Sequence, residues 1–257
     1  MKRIVIKIGT AIMTKCNRLN YKWLDTKSKE ISALVKKGDE VIIVASGAVA
    51  AGMETLNIKK RPKETIKLQA LSGIGQIRLI TVFAQVFKKS GIDIAQVLLT
   101  HHSFSTQGER ENLNQVINSY LKKGIIPLIN ENDVVSKEEL MENSSNKFTD
   151  NDVLAALVAI ELKADRLLLI TDVEGLCDVD PKKNKCANVV EKIDNIDRDI
   201  ENMASRETNS LGRGGMISKI LAAKMVKKHK IETIVGSGSH NILDLLDGNV
   251  KRTLFKS

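Results

Sequence analysis

Residues 40–56 read EVIIVASGAVAAGMETL, and this stretch decides the fold. After Glu40 come four β-branched residues that are apolar on both faces, as in a central parallel strand covered by helices on each side. Ser46 then stands before a run of small residues, Ala48 to Leu56, which is predicted to be a helix. A strand that leads directly into a helix is one βα unit, the building block of an α/β fold.

The same unit recurs along the chain. Six short runs are predicted to be strands: Arg3–Ile8, Glu40–Val44, Ile94–Leu99, Ile125–Ile129, Leu167–Ile170 and Thr233–Val235. Six segments of helical period accompany them: Trp23–Lys37, Ala48–Leu56, Glu64–Lys89, Asn112–Lys123, Asn151–Leu162 and Met216–Lys230. We therefore predict a three-layer αβα sandwich with a largely parallel central sheet, formed as a single domain over residues 1–257. A composition shift near Arg166 divides this domain into two halves, about 1–164 and about 165–257.

Composition excludes several classes of protein. Of 257 residues, 42% are hydrophobic and 28% are charged, which is typical of a globular protein and unlike a disordered or coiled-coil chain. A net charge of +9 is a feature of nucleic-acid-binding proteins. Here, however, the lysines occur mostly as pairs at the ends of predicted helices, where cations suit solvent, and only 3% of residues are aromatic. We therefore expect no nucleic-acid partner.

Membrane, disulfide and metal signals are also weak in the sequence. No apolar run approaches 20 residues, and Lys7 interrupts the N-terminal run too early for a signal peptide, so we expect a cytoplasmic protein with no membrane partner. Cys16, Cys177 and Cys186 form no C-x-x-C pair, which favours reduced thiols. The four histidines have no metal-ligand spacing, and no protein-held metal is expected.

The usual phosphate-binding motifs are missing, but other polar segments stand where they would be useful. No Gly-Lys dipeptide and no G-x-G-x-x-G after a strand occurs, which excludes the Walker loop and the dinucleotide fingerprint. Six polar or glycine-rich segments lie at predicted strand ends or helix starts, where ligands bind in α/β sheets. These segments are KIGT at Lys7, ASGAVAAG at Ala45, NEND at Asn130, DND at Asp150, TDVEGL at Thr171 and GRGGMISK at Gly212.

Each segment also has a plain structural interpretation. Lys7 at a strand edge is more often structural than functional, and Ser46 is well explained as a helix N-cap, although the small residues after it suggest that something lies against that helix N-terminus. Taken together, two lysines on glycine turns, clustered carboxylates and amides, and no metal cage favour phosphoryl transfer. In that reaction the protein mainly positions groups and offsets charge, and an acidic substrate attacks with its own oxygen.

The chain resembles the amino acid kinase family over essentially all of its length. The resemblance is carried, in order, by KIGT at Lys7, ASGAVAAG at Ala45, LSGIGQ at Leu71, PLINENDVV at Pro127, FTDNDVLAALVA at Phe148, LLLITDVEGL at Leu167 and GRGGMISKILAA at Gly212. The INEND and DND elements are similar to those of members that use ATP to phosphorylate the side-chain carboxylate of L-glutamate, the first step of proline biosynthesis. The resemblance implies the amino acid kinase fold, with a glutamate-binding first half and a nucleotide-binding second half.

The resemblance also implies residue roles. Lys7 and Lys219 would be catalytic, neutralising the transferring phosphoryl, with Asp152 orienting them. Glutamate would bind to Ser46, Asp133 and Asn151. The nucleotide would bind to Lys7, Thr171, Asp172, Arg213, Gly214, Gly215, Met216, Ile217, Ser218 and Lys219. Mg²⁺ would be held mainly by ATP phosphates, as this hard cation usually is. Family members are commonly inhibited by proline, and a homo-oligomer is expected.

Three positions depart from the family pattern. Thr149 stands where glycine usually precedes DND, Arg213 where threonine is usual, and Ala45 where serine or threonine is commoner. Many members carry a C-terminal RNA-binding-like domain, and none is expected here. Two alternatives remain open at this point. One is a relative that acts on another carboxylate, a carbamate or a phosphate, and the other is a non-catalytic nucleotide- or RNA-binding regulator.

Overall fold

A computed structural model describes residues 1–15, 18–136, 151–179, 184, 187–206 and 215–257. Its strands are β1 (Arg3–Ile8), β2 (Thr14–Lys15), β3 (Arg18–Leu19), β4 (Glu40–Ala45), β5 (Ile94–Leu99), β6 (Ile126–Glu131), β7 (Arg166–Thr171), β8 (Lys192–Ile193), β9 (Glu232–Ser237) and β10 (Thr253–Phe255). Strands β2 and β3 pair only with each other, and the remaining eight form one sheet in the order β5-β6-β4-β1-β7-β9-β10-β8. Neighbours in that sheet are parallel except β9 and β10.

Helices cover both faces of the sheet. They are α1 (Thr10–Met13), α2 (Tyr21–Lys36), α3 (Ala48–Thr55), α4 (Thr65–Lys88), α5 (Gln107–Leu121), α6 (Asn151–Glu161), α7 (Arg198–Arg206), α8 (Met216–Lys227) and α9 (Ile242–Asp247), with a 3-10 helix at His101–Phe104. Alternate residues of β1 enter two separate cores, since successive side chains of a strand point to opposite faces. Ile6 packs in the core that contains α2, α4 and α9, and Val5 packs in the core that contains α5, α6 and α8. The predicted three-layer α/β sandwich with a largely parallel sheet is confirmed.

Most predicted elements are found within two residues of their predicted ends, but two helix boundaries are wrong. Helix α5 begins at Gln107 instead of Asn112, because the Thr106 side chain caps its polar first turn by accepting a hydrogen bond from Glu109 N. Helix α8 ends at Lys227 instead of Lys230, which has a positive φ of 60°. Helices α7 and α9 and strands β8 and β10 were not predicted, because their apolar patterns are short.

Helix α4 bears on the expectation of no membrane-spanning segment. It is the one helix among the described residues that is long and apolar enough to cross a bilayer, although polar residues interrupt it in sequence. Half of its apolar window is buried inside the protein, where Leu79 and Phe83 pack on the sheet. These contacts are those of a core helix, with one apolar face left exposed.

Some sequence-based expectations fall partly or wholly on residues that are not described. The polar stretches Ser136–Lys147 and Asp178–Asn184 were expected to be mobile loops, and residues 137–150 and 180–183 lie outside the described residues. Cys177 is buried. Cys16 and Cys186 lie outside the described part of the chain.

Candidate functional site

The candidate site lies at the edge of the sheet where the parallel strands end. Strand β1 occupies the middle, with Ile8 opposite Ala45 of β4 on one side and Ile170 of β7 on the other. The residues that follow these strands therefore leave the sheet side by side. Chain connections diverge to left and right of β1, and such a crossover point is where α/β sheets usually bind ligands.

Lys7, Asp152 and Lys219 form a buried cluster at this edge. Lys7 Nζ lies 2.5 Å from Asp152 Oδ1, and Lys219 Nζ lies 3.0 Å from Asp152 Oδ2. Lys7 is the second-to-last residue of β1. Asp152 lies in the first turn of α6, and Lys219 lies in the first turn of α8. The fold thus brings together the three residues predicted to be catalytic.

The charges of this cluster determine the protonation state of the Asp152 carboxyl. Burial alone would raise the pKa of its carboxyl, but the ammonium groups of Lys219 and Lys7 and the hydrogen bonds from Lys7 and Ser218 outweigh burial and hold that pKa well below its usual range. Ser218 Oγ donates to Asp152 Oδ2 at 2.7 Å. The Asp152 carboxylate is therefore charged at neutral pH, keeps both lysine ammonium groups in place through ion pairs, and is a poor proton acceptor. Two ammonium groups share one carboxylate, so the cluster favours an additional anion such as a phosphoryl group.

Ser46 and Asn151 form a second contact beside the cluster. Asn151 Nδ2 donates to Ser46 Oγ at 2.8 Å, and both side chains are buried. The interpretation of Ser46 as a helix cap is wrong. The N-cap of α3 is Gly47, which has a φ of 92° and no side-chain cap, and an added Cβ there would lie 2.8 Å from Met13 Cε. This tight turn leaves the Ser46 hydroxyl for Asn151.

The small residues of α3 serve helix packing more than ligand access. An added Cβ on Gly52 would lie 2.0 Å from Leu71 O, and one on Gly75 would lie 1.8 Å from Ala48 O. The backbones of α3 and α4 therefore touch, which only glycine permits. Helix α4 therefore lies against the small residues of α3, and the expectation that an anion lies at the N-terminus of α3 stays a prediction.

Asp133 lies in the turn after β6, a strand that pairs with β4. Its carboxylate accepts a hydrogen bond from Ser72 Oγ at 2.5 Å, and its main-chain oxygen accepts one from Gln69 Nε2 at 2.9 Å. One turn further along α4, Gln76 Oε1 accepts from Asn130 Nδ2 at 2.8 Å. No role was predicted for these three residues of α4, although LSGIGQ contains Ser72 and Gln76, and spacings of three and four residues place all three on one face of the helix.

The predicted nucleotide residues are only partly described. Thr171 Oγ1 donates to Asp172 Oδ1 at 3.1 Å at the end of β7. Gly215 is the N-cap of α8, with open space beside its Cα, Met216 is buried and Ile217 is exposed. Arg213, Gly214 and Thr149 lie outside the described residues, so their roles stay predictions.

The carboxylates of the site do not form a metal cage. Across the described ranges, no group of three or more His, Cys, Asp or Glu side chains has the arrangement needed to hold a metal ion. Asp152 is engaged by two ammonium groups.

The chain is similar in sequence to a known family and to proteins with an assigned activity. The family model described as the amino acid kinase family matches residues 2–237. The chain is 39% identical over 251 residues to a glutamate 5-kinase of Caldanaerobacter subterraneus subsp. tengcongensis, covering 97% of this chain and 66% of the relative. It is 35% identical to a glutamate 5-kinase of Prochlorococcus marinus (strain MIT 9312), covering 99% and 71%. The chain thus spans about two thirds of the length of these relatives.

Solved structures of low identity share the fold. UMP kinase from Ureaplasma parvum is 17% identical with a TM-score of 0.63, covering 100% of this chain and 99% of that one. Carbamate kinase from Giardia lamblia bound to AMP-PNP is 16% identical with a TM-score of 0.67, covering 99% and 98%. At this identity the likeness concerns the fold alone.

Proposed function

Because the chain belongs to the amino acid kinase family, we propose that it transfers the γ-phosphoryl group of ATP to the side-chain carboxylate of L-glutamate, the first step of proline biosynthesis. The observation that carries this proposal is the buried cluster of Lys7, Asp152 and Lys219, whose positive excess suits a phosphoryl group. The relatives named glutamate 5-kinase support the choice of acceptor and disfavour a non-catalytic regulator.

In phosphoryl transfer, the protein mainly positions the reacting groups and stabilises the negative charge on the transferring phosphoryl group. A substrate carboxylate oxygen forms the new bond to the γ-phosphorus, the bond from that phosphorus to the bridging oxygen breaks, and ADP leaves. Lys7 and Lys219 meet the charge that spreads over the phosphoryl oxygens, and Asp152 keeps both ammonium groups in place. No protein nucleophile is required.

Three residues bind the ammonium group and the α-carboxylate of glutamate. Asp133 pairs with the substrate ammonium, and Ser46, at the start of α3, receives the α-carboxylate together with Asn151, which contacts it. The nucleotide would lie over the end of β7 and the start of α8, against Thr171, Asp172 and residues 215–219. Mg²⁺ would be held chiefly by the ATP phosphates, as this hard cation usually is, and would offset their charge.

A panel of acceptors tests the proposal. Purified protein is incubated with ATP, Mg²⁺ and, in turn, glutamate, aspartate, N-acetylglutamate, carbamate and UMP, while ADP release is measured. Hydroxylamine traps an acyl phosphate as a hydroxamate, which identifies a carboxylate acceptor. We expect turnover and hydroxamate with glutamate alone. Turnover with carbamate or UMP, or none with any acid, would contradict the proposal.

Inhibition by proline belongs to the same proposal. Proline has an ammonium group and an α-carboxylate like those of glutamate but lacks the side-chain carboxylate. It therefore competes with glutamate for Asp133 and Ser46. Proline should raise the apparent KM for glutamate more than that for ATP. Equal rates at millimolar proline would show that this chain lacks the regulation.

We also propose a homo-oligomer formed through α4, in a cytoplasmic protein. Ile66, Ala70, Ile74 and Ile77 are exposed and follow one another at spacings of three or four residues, as in a helix-packing seam. Such a seam complements itself across a two-fold axis, which makes a second copy the natural occupant. Ile77→Glu should halve the mass measured by light scattering, whereas Val116→Glu, an exposed control on α5, should leave it unchanged.

A further inference from the structure

Helix α4 carries three polar side chains, Gln69, Ser72 and Gln76, on the face that packs against the end of β6 and the turn after it. All three contact the end of β6 or the turn that follows it: Gln76 accepts a hydrogen bond from Asn130 of β6, Ser72 donates to the Asp133 carboxylate, and Gln69 donates to two main-chain oxygens of the turn. Ser72 and Gln76 are buried. Buried polar groups persist where their hydrogen bonds are made, so this face of α4 is fitted to that segment.

Helix α4 lies close to both sides of the proposed glutamate pocket. The Gly75 backbone packs against Ala48 O, two residues after Ser46, and Gly73 lies beside the side chain of Val134, the neighbour of Asp133. Close backbone contacts of this kind leave little freedom to shift. Helix α4 therefore sets the position of Asp133 relative to the start of α3.

Ser72 acts on the carboxylate itself. Its hydroxyl donates to Asp133 Oδ2 at 2.5 Å, and both residues are at most 6% exposed. A hydrogen bond from a neutral donor to a carboxylate is stronger than one between neutral groups and fixes the plane of the acceptor. A carboxylate that is already oriented loses less conformational entropy when it binds a cation.

We propose that Ser72 is a positioning residue for the recognition of the substrate amino group. By orienting the Asp133 carboxylate, it makes the pocket select an amino acid over the same diacid without an ammonium group. This inference rests on the proposed function, since it assumes that Asp133 meets the ammonium of glutamate. A merely structural Ser72 would affect stability without changing that selectivity.

The test compares glutamate with glutarate, which has the same two carboxylates and no amino group. Ser72→Ala should raise the KM for glutamate about tenfold, the size expected when a charged group loses a hydrogen bond. The Ki of glutarate as a competitor, kcat and the KM for ATP should each stay within about twofold. Ser32→Ala is the matched control: Ser32 is a buried serine of another helix, α2, and its hydroxyl has no partner among the described residues.

Each outcome bears on the inference. Wild-type turnover of glutamate with an unchanged KM in Ser72→Ala overturns it while leaving the proposed function intact. Equal weakening of glutamate and glutarate also overturns it, because that pattern belongs to a general distortion. If Ser72→Ala does not fold, Ser72→Cys keeps the volume with a weaker donor and should show the same selective rise. Absence of both glutamate turnover and calorimetric glutamate binding in the wild type overturns the proposed function and this inference together.

Discussion

Asp152 is the residue on which both lysines of the site depend. Its Oδ1 faces Lys7, and its Oδ2 accepts from Lys219 and Ser218. Lys7 and Lys219 are two of the three buried lysines among the described residues, the third being Lys27 of α2. Without the carboxylate, two buried ammonium groups would repel each other with no compensating charge. The same residue therefore serves the stability of the fold and the proposed reaction.

Replacement of Asp152 by asparagine makes a prediction about pH. At pH 7, Asp152→Asn should lower the free energy of unfolding by about 3 kcal/mol, because the lysines lose their counter-charge. The folded-state pKa of Asp152 is depressed, so its contribution is fully present above the ordinary value of 3.8 and is lost as pH falls toward the folded value. At pH 3 the difference between the two proteins should be about 1 kcal/mol smaller. Urea unfolding at both pH values measures it, and an equal difference at both would contradict the assignment.

Kinetics should separate the phosphoryl-binding residues from the glutamate-binding residues. Lys219 meets charge that grows in the transition state, so Lys219→Ala should lower kcat about 100-fold, or about 3 kcal/mol. Asp133 meets an ammonium whose charge does not change, so Asp133→Ala should act mainly through the KM for glutamate. Steady-state rates with each substrate varied decide between these effects.

The control for this comparison is Lys224→Ala, an exposed lysine on the same helix that pairs with Glu201. It should keep wild-type kcat. A wild-type kcat in Lys219→Ala, or a KM for ATP that rises as much as that for glutamate in Asp133→Ala, would show that the two roles are assigned wrongly.

Among the elements, the pair α3 and α4 decides the shape of the proposed glutamate pocket. Helix α3 starts just after Ser46, and α4 holds the segment that contains Asp133. The two helices meet at Gly52 and Gly75 with backbone against backbone. Any side chain at this contact would move one substrate-binding element away from the other.

A glycine substitution at this contact should therefore affect stability and substrate binding together. Gly75→Ala places a methyl group where Ala48 O already lies, and overpacking of this kind should lower the free energy of unfolding by about 3 kcal/mol and raise the KM for glutamate. Gly108→Ala is the control. It lies in α5 with nothing near its added Cβ, and it should raise stability by up to about 1 kcal/mol through helix propensity. Thermal or urea unfolding gives both values, and no loss in Gly75→Ala would show that the helices can separate freely.

At the level of the whole protein, three of the lysine pairs stand at the ends of three different helices. Lys36, Lys88 and Lys227 lie in the last turns of α2, α4 and α8, where they complement the helix dipole. The next residue in each pair, Lys37, Lys89 or Lys228, is exposed. The helix dipole and solvent thus account for these cations without a nucleic-acid partner.

Binding to RNA should therefore be weak and governed by salt. We expect an apparent Kd that rises steeply between about 50 and 200 mM salt and that does not differ between homopolymers of different base. Fluorescence anisotropy with labelled RNA measures both properties. Tight, sequence-selective binding that persists at physiological salt would contradict this expectation.

The local structure and several site residues were predictable from the amino-acid sequence. β-Branched runs such as Arg3–Ile8 and Ile94–Leu99 became strands with the predicted bounds, because apolar periodicity and turn chemistry act over a few neighbouring residues. Lys7, Asp152 and Lys219 stood out as charged residues at strand ends and helix starts. Such positions are recognisable without knowledge of the packing around them.

Only the tertiary structure decided which of these residues meet. Lys219 and Asp152 are 67 positions apart, and their contact depends on how α6 and α8 dock on the same face of the sheet. Packing also turned Ser46 from an expected helix cap into a partner of Asn151 and brought Ser72 to Asp133. Local patterns specify secondary structure because they act along the chain, whereas a hydrogen bond between distant residues depends on the distances and angles that the packed layers impose.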